Sequence, residues 1–421
     1  MAEPSIGASL AGSLGRAIAI GVLALLMVGL MPGRADAAAD VRVLRSGFES
    51  RFPQSIAFSL DAAVLRPIQK VTVSYRVAGR RTLVVGEAQV TQGTGQLHAE
   101  ALLDLSRRYL PPGTALQYNW QIEDDRGEQF RSETFAAMVE DRRFQWRQAR
   151  AANVELSWAR GDNQFGQLLM QIAVQSLQRL AGDAGVTVER PVRIFVYSDL
   201  DEFRSASYRG GLEWVGGTYY PRENVILLFA PPNQQGLEIA RRALPHELTH
   251  AVVHQVTDNP FGEVPQWLNE GLAGRSEQHL PQESADALAK AIAEERLISL
   301  RALTGTFPVD SDEAVLAYAE SYSAVGFLQE RYGRQRLNAL LQAYRAGVTA
   351  DEGLQQALGV DTAQFEADWR AWLVPWPLMK ATPFAQVEPA AASGREDAAA
   401  EEGLMDQIRA LVDGIWGQKG Q

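Results

Sequence analysis

With 421 residues, 46% of them hydrophobic, the chain is long enough for two folded domains with a sizeable core. A formal net charge of −11 with no basic run argues against a nucleic-acid partner. The absence of cysteine excludes a disulfide framework and a lipid-anchored N-terminal Cys, so stability has to come from the core and from any bound metal.

The N-terminal stretch reads as a targeting segment. Arg16 precedes an apolar run over residues 17–31, and Ala35-Asp36-Ala37 follows as an A-x-A cleavage site. Cleavage after Ala37 is the expectation, giving a secreted or cell-envelope protein. The run is shorter than the ~20 residues that span a bilayer. The alternative is an uncleaved anchor, with membrane association through that segment.

Residues 38–143 have β texture. In IQKVTVSYRV, Val71, Val73, Tyr75 and Val77 alternate with polar residues, and Leu116, Tyr118, Trp120 and Ile122 do the same in TALQYNWQIE. Pro111-Pro112-Gly113 and Asp124-Asp125-Arg126-Gly127 supply turns on either side of the second strand. The pattern predicts an antiparallel sandwich of immunoglobulin-like architecture, serving as a spacer or fold support, with a binding module as the alternative. No catalytic constellation lies in it.

From Phe144 to about residue 378 the pattern turns mixed α+β. ANVELSW predicts a strand, QFGQLLMQIAVQSLQRLAG an amphipathic helix ending at Gly182, and VRIFVYS a buried strand. A glycine-rich strand and turn, WVGGTYYPREN, then leads into Val225, Ile226, Leu227 and Leu228.

Next comes RRALPHELTHAVVHQV, in a chain with only five histidines. At about 100° per residue, His246 and His250 lie roughly 6 Å apart on one helix face, with Glu247 beside them. The helix either starts near Pro245 or kinks there. A catalytic zinc normally takes three protein ligands and keeps its fourth position for water. Val256 occupies the place of a possible third histidine. Asp258-Asn259-Pro260 and Gly262 reverse the chain, and a second helix carries Glu270, twenty residues after His250, back to the histidines. Two neutral imidazoles and one carboxylate suit a single Zn²⁺ ion, whose charge they half neutralise. Glu277 is the next candidate for third ligand. His254 is one turn too far for shared ligation and predicts packing or support; His98 and His279 read as surface residues.

HELTH followed by WLNEGLA, with ligands His246, His250 and Glu270 and base Glu247, resembles the gluzincin metallopeptidases, and among them the bacterial proteins labelled peptidase MA-like. One departure is Gly274, where thermolysin-like enzymes carry an Asp that orients a histidine, so the orienting group here is unidentified. The resemblance implies a gluzincin-like catalytic domain over 144–378 and a peptide or protein substrate. It implies an edge strand at 224–229 beside the cleft; a plain core strand is the alternative. It also implies a tyrosine donor for the oxyanion, for which Tyr318 and Tyr322 are the candidates and core packing the alternative. No GAMEN-like segment is present.

Residues 379–403 read as low-complexity linker and 404–421 as a short amphipathic helix. The expectation is therefore multidomain: an N-terminal all-β sandwich, then an α+β zinc metallopeptidase hydrolysing peptide bonds. The alternative is an inactive envelope scaffold with a vestigial peptidase-like domain.

Overall fold

The structure, a computed structural model, describes residues 40–207, 216–307 and 311–373. The predicted leader, linker and C-terminal helix lie outside them. No described helix is long and apolar enough to cross a membrane.

The N-terminal region is all β: β1 Val41–Arg51, β2 Ser55–Val64, β3 Ile68–Val77, β4 Val84–Glu87, β5 Gln89–Gly93, β6 Gln96–Asp104, β7 Ala115–Asp124, β8 Gln129–Arg131 and β9 Phe135–Met138. One antiparallel sheet runs β1-β2-β6-β5; the other runs β4-β3-β7-β8, with β9 also pairing β7. The alternation in the sequence supplies the core. Val71, Val73 and Tyr75 of β3 meet Leu116, Tyr118, Trp120 and Ile122 of β7, all at most 3% exposed.

The α+β region follows with β10 Arg147–Ala151, β11 Val154–Trp158, α1 Asn163–Ala184, β12 Val192–Tyr197, α2 Leu200–Ala206, β13 Gly217–Tyr220, β14 Val225–Phe229 and α3 Gln234–Thr257. Then come α4 Gln266–Ser276, α5 Gln282–Ala293, α6 Ser311–Arg345, α7 Ala350–Leu358 and α8 Thr362–Leu373. Its sheet has the order β10-β11-β12-β14-β13, parallel in the middle and closed at each end by an antiparallel strand. Gly333, at φ 74°, breaks α6 into two helices.

Three local expectations are corrected. The strand at 225–229 is interior, between β12 and β13, and the strand beside the cleft is β13. Both faces of the interior strand are buried: Ile226 and Leu228 face the helical core, and Val225 and Leu227 face the sandwich core. The first long helix passes Gly182 and ends at Ala184, because Gly185 (φ 66°) takes the left-handed position that closes it. And α3 does not start near Pro245: Asn233 caps it, accepting from the Gly236 N–H at 3.0 Å, and it runs on through the proline.

The sandwich core is continuous with the outer face of this sheet, where Tyr197, Val225 and Leu227 are fully buried. Asp141 adds a polar tie, accepting from Arg143 Nη2 (2.6 Å) and from the Tyr197 hydroxyl (2.9 Å). Arg80, in the β3–β4 connection, donates to the carbonyls of Pro221 (3.0 Å) and Arg222 (3.2 Å) in the β13–β14 turn.

Candidate metal centre

Helix α3 presents the two histidines one turn apart, with ring centroids 4.8 Å apart, inside a wall of buried Leu244, Leu248, Ala251 and Val252. Glu270 comes from α4, which sits hard against α6: a Cβ on Gly271 would fall 2.3 Å from the Ser321 carbonyl oxygen. The structure brings the three side chains together. Glu270 Oε2 lies 3.6 Å from His246 Nε2 and 3.5 Å from His250 Nε2. Ligands about 2.0–2.1 Å from a tetrahedral zinc stand about 3.3–3.4 Å from one another; both Glu270 contacts are close to that spacing, and all three donor atoms lie within 4.8 Å of one another.

Each ligand is held from behind. His246 Nδ1 is 2.9 Å from Glu277 Oε1, and His250 Nδ1 is 3.0 Å from Asn269 Oδ1. With Nδ1 engaged from behind, Nε2 is the nitrogen of each ring that faces Glu270 and would be the one to meet a metal. Gln266 donates to the other oxygen of Glu270 at 2.7 Å, and Arg242 stands 3.5 Å from Glu277. Glu277 thus meets the far nitrogen of His246 and is an orienting group, answering the gap left by Gly274. It lies two helical turns beyond Glu270, a spacing that could have flagged it. Asn269 is adjacent in sequence to Glu270.

The buried charges perturb one another. Burial would raise the Glu270 carboxyl, but His250 and His246 outweigh it and hold the group well below the usual carboxylate range. Burial would lower the His246 imidazole, yet its hydrogen bonds to Glu270 and Glu277 hold it well above its ordinary value. Glu247 is raised, chiefly by burial, against the opposing pull of His246 and His250. Its neighbour across the cleft is backbone: the Tyr219 N–H bonds it, and a Cβ on Gly217 would fall 2.8 Å from Glu247 Cγ. The Gly216-Gly217 pair therefore lets the edge strand β13 approach the proposed base.

Cavities open on both sides of the cluster, and His246, Glu270 and Tyr318 face both. The His246 side, about 430 Å³, is lined by Leu200, Phe229, Ile239, Ala243, Leu280 and Val315, with His279 at its edge. The His250 side, about 530 Å³, is lined by Tyr219, Arg222, His254, Asp258 and Val264, and by Arg80 from the sandwich. Nothing in the local sequence signalled Arg80. His254 packs edge-on against Tyr219, ring centroids 6.0 Å apart. Burial, with Glu270 and Glu247 nearby, raises the Tyr318 hydroxyl, so it stays a proton donor at any working pH. Tyr322 lines the His246-side cavity alone, and its ring lies under Arg275 at 5.0 Å.

Residues 172–375 match the family model of the Peptidase MA superfamily, a span that takes in all seven sequence candidates for ligand, base or donor roles. This bears out the peptidase resemblance. No curated protein matches the chain. Among solved structures, the M1 zinc metallopeptidase from Deinococcus radiodurans is similar at 14% identity and a TM-score of 0.35, over 76% of this chain and 89% of that one. A two-domain M1 zinc metallopeptidase mutant bound to L-arginine covers the same shares at 14% identity and a TM-score of 0.34. Both are loose likenesses, and the assignment rests on the family match and the site.

Proposed function

We propose that the chain is an exported, zinc-dependent metallopeptidase of gluzincin type that hydrolyses peptide bonds, with a leader over 1–37, a sandwich over 38–143 and a catalytic domain over 144–378. The observation that carries the reading is the convergence of His246 Nε2 and His250 Nε2 on Glu270 Oε2, at 3.6 and 3.5 Å, beside Glu247, a buried ionisable group that is not part of the triad. The A-x-A site after the apolar run supports the export part.

His246, His250 and Glu270 would hold the ion. Zn²⁺, when bound, supplies Lewis acidity to a water and to the scissile carbonyl. Glu247 takes a proton from the attacking water and later delivers it to the leaving amine. Its burial suits it to both duties, because a raised pKa makes the carboxylate a better base and the acid easier to keep. Tyr318, standing between the two cavities, donates its hydroxyl proton in a hydrogen bond to the oxygen on which negative charge develops; Tyr322 is the second candidate. Among the described residues β13 is the outermost strand of its sheet, so the outward backbone groups that Glu247 does not use are open to an extended substrate, and Gly217 lets that substrate lie close to Glu247.

Metal analysis combined with a peptide-library digest tests the reading. The wild type should carry about one zinc and cut peptides. Glu247→Gln keeps side-chain volume but accepts no proton, so turnover should fall by at least about a hundredfold with zinc content and melting temperature nearly unchanged. If zinc and turnover fall together, Glu247 is a ligand or a structural group. Zinc binding without cleavage of any peptide would favour the inactive scaffold.

A further inference from the structure

After α3 the chain turns through Asp258–Glu263, and the turn is braced to an unusual degree. Asn259 Nδ2 donates to the carbonyls of Thr257 (2.9 Å), Gly262 (3.2 Å) and Tyr344 (2.9 Å). Its Oδ1 accepts from the N–H groups of Phe261 (2.8 Å) and Gly262 (3.0 Å). Gly347, in the α6–α7 connection, lies against the base of Phe261: a Cβ there would fall 2.9 Å from Phe261 Cβ and from Cδ2. Five hydrogen bonds and a glycine seat thus fix where this loop sits.

What the loop holds out is Phe261, 81% exposed and the most exposed large apolar side chain among the described residues. Leaving a phenyl ring in water is unfavourable, and a single exposed apolar residue on a surface is ordinary. This one differs in its place and its rigidity. Asn259 on one side of it, and Gly262, Glu263 and Val264 on the other, line the His250-side cavity. The loop that carries the ring therefore borders that cavity, and the ring itself rests beside Gly347. β13 leads the same way, from Gly217 beside Glu247 to Tyr219 in the His250-side wall.

We propose that Phe261 is a substrate-binding residue: an anchor on which an extended polypeptide in the His250-side cavity places an apolar or aromatic side chain, several residues from the bond that is cut. The substrate class that follows is an extended, unfolded polypeptide with apolar residues, since the loop borders the cavity and offers an apolar ring to such a side chain. Holding the ring out in advance removes the ordering cost of binding, which is what a braced loop contributes. Aromatic side chains give large contact area for few rotatable bonds. This inference rests on the peptidase reading for the identity of the ligand, and its test does not depend on turnover.

The test measures binding of fluorescently labelled β-casein, an unfolded apolar polypeptide, to the zinc-loaded full chain in a Glu247→Gln background. Phe261→Ala should weaken binding about 5–30-fold, with zinc content and melting temperature unchanged, and Phe261→Trp should retain it. With Glu247 intact, Phe261→Ala should raise KM for long peptides by a similar factor while kcat falls far less. Unchanged casein binding in Phe261→Ala overturns the inference, as does an equal loss in Phe261→Trp, or failure of the Glu247→Gln chain to bind casein at all. Casein binding that depends on Phe261 in a chain that cuts nothing upholds the anchor and overturns the hydrolytic reading.

Discussion

The sandwich and the peptidase region bury their polar groups by different rules. In the sandwich the buried carboxylates lie apart and each has its partners: Asp124 accepts from the Arg126 and Glu128 N–H groups of its own turn at 2.9 Å each, and Asp141 accepts from Arg143 and from the Tyr197 hydroxyl. In the peptidase region His246, Glu247 and Glu270 are buried together around one point, and Glu320 is buried with one oxygen lacking any hydrogen-bond partner. Burying ionisable groups without complete pairing costs free energy. One region thus keeps its buried carboxylates apart, and the other gathers ionisable groups around one point, the arrangement that the proposed metal would relieve.

The largest effects should divide along that line. Glu270→Gln removes a charged donor from the proposed ligand set, so the purified variant should hold far less than one zinc per chain by elemental analysis. Trp120→Ala, in the sandwich core at 0% exposure, should instead cost about 3–5 kcal/mol in denaturant unfolding while the folded protein keeps its zinc. Full zinc occupancy in the first variant would move the third ligand elsewhere, and zinc loss from folded Trp120→Ala would show that the sandwich holds the site together.

A smaller effect should come from behind the ligands. Glu277→Gln keeps a hydrogen-bond acceptor for His246 but loses the charge, and zinc affinity by chelator competition should fall about 10–100-fold. An unchanged affinity would reduce Glu277 to a bystander.

The smallest should be seen in pH dependence. Burial pushes the Glu320 carboxyl up to about 8, the Ile298 N–H bond (2.9 Å) being too little to offset it. The group is protonated in the folded chain and titrates near its ordinary, lower value once unfolded. The stability it contributes is therefore complete below about pH 4.5 and is lost as pH rises through about 8. Glu320→Gln mimics the neutral form, so its melting temperature should fall less between pH 5 and pH 9 than the wild type's. Parallel curves would mean that another group sets the alkaline limit.

Much of this was legible from residue order, for physical reasons. Strands β3 and β7 follow from strict alternation, because one buried face leaves a period of two. His246, His250 and Glu270 follow from chemistry that needs those donors. What stayed hidden depends on contacts distant in sequence. The 225–229 segment is apolar on both faces, which a central strand and a misassigned edge strand share, so only pairing reveals that β13 is outermost. Pro245 signalled a helix boundary, and the packing of Leu244, Leu248 and Ala251, each fully buried, carries the helix through it. Glu277 was weighed as a ligand because sequence separation does not tell which imidazole nitrogen a carboxylate will meet.

Arg80 has a consequence for how such an enzyme changes over generations. It belongs to the region without chemistry, yet it lines the cavity and grips the turn of the strand beside Glu247. Exchange of the sandwich by recombination would replace that wall along with it. On the proposed reading, substrate preference is inherited partly through the accessory region and drifts there while the proposed ligands and base stay fixed.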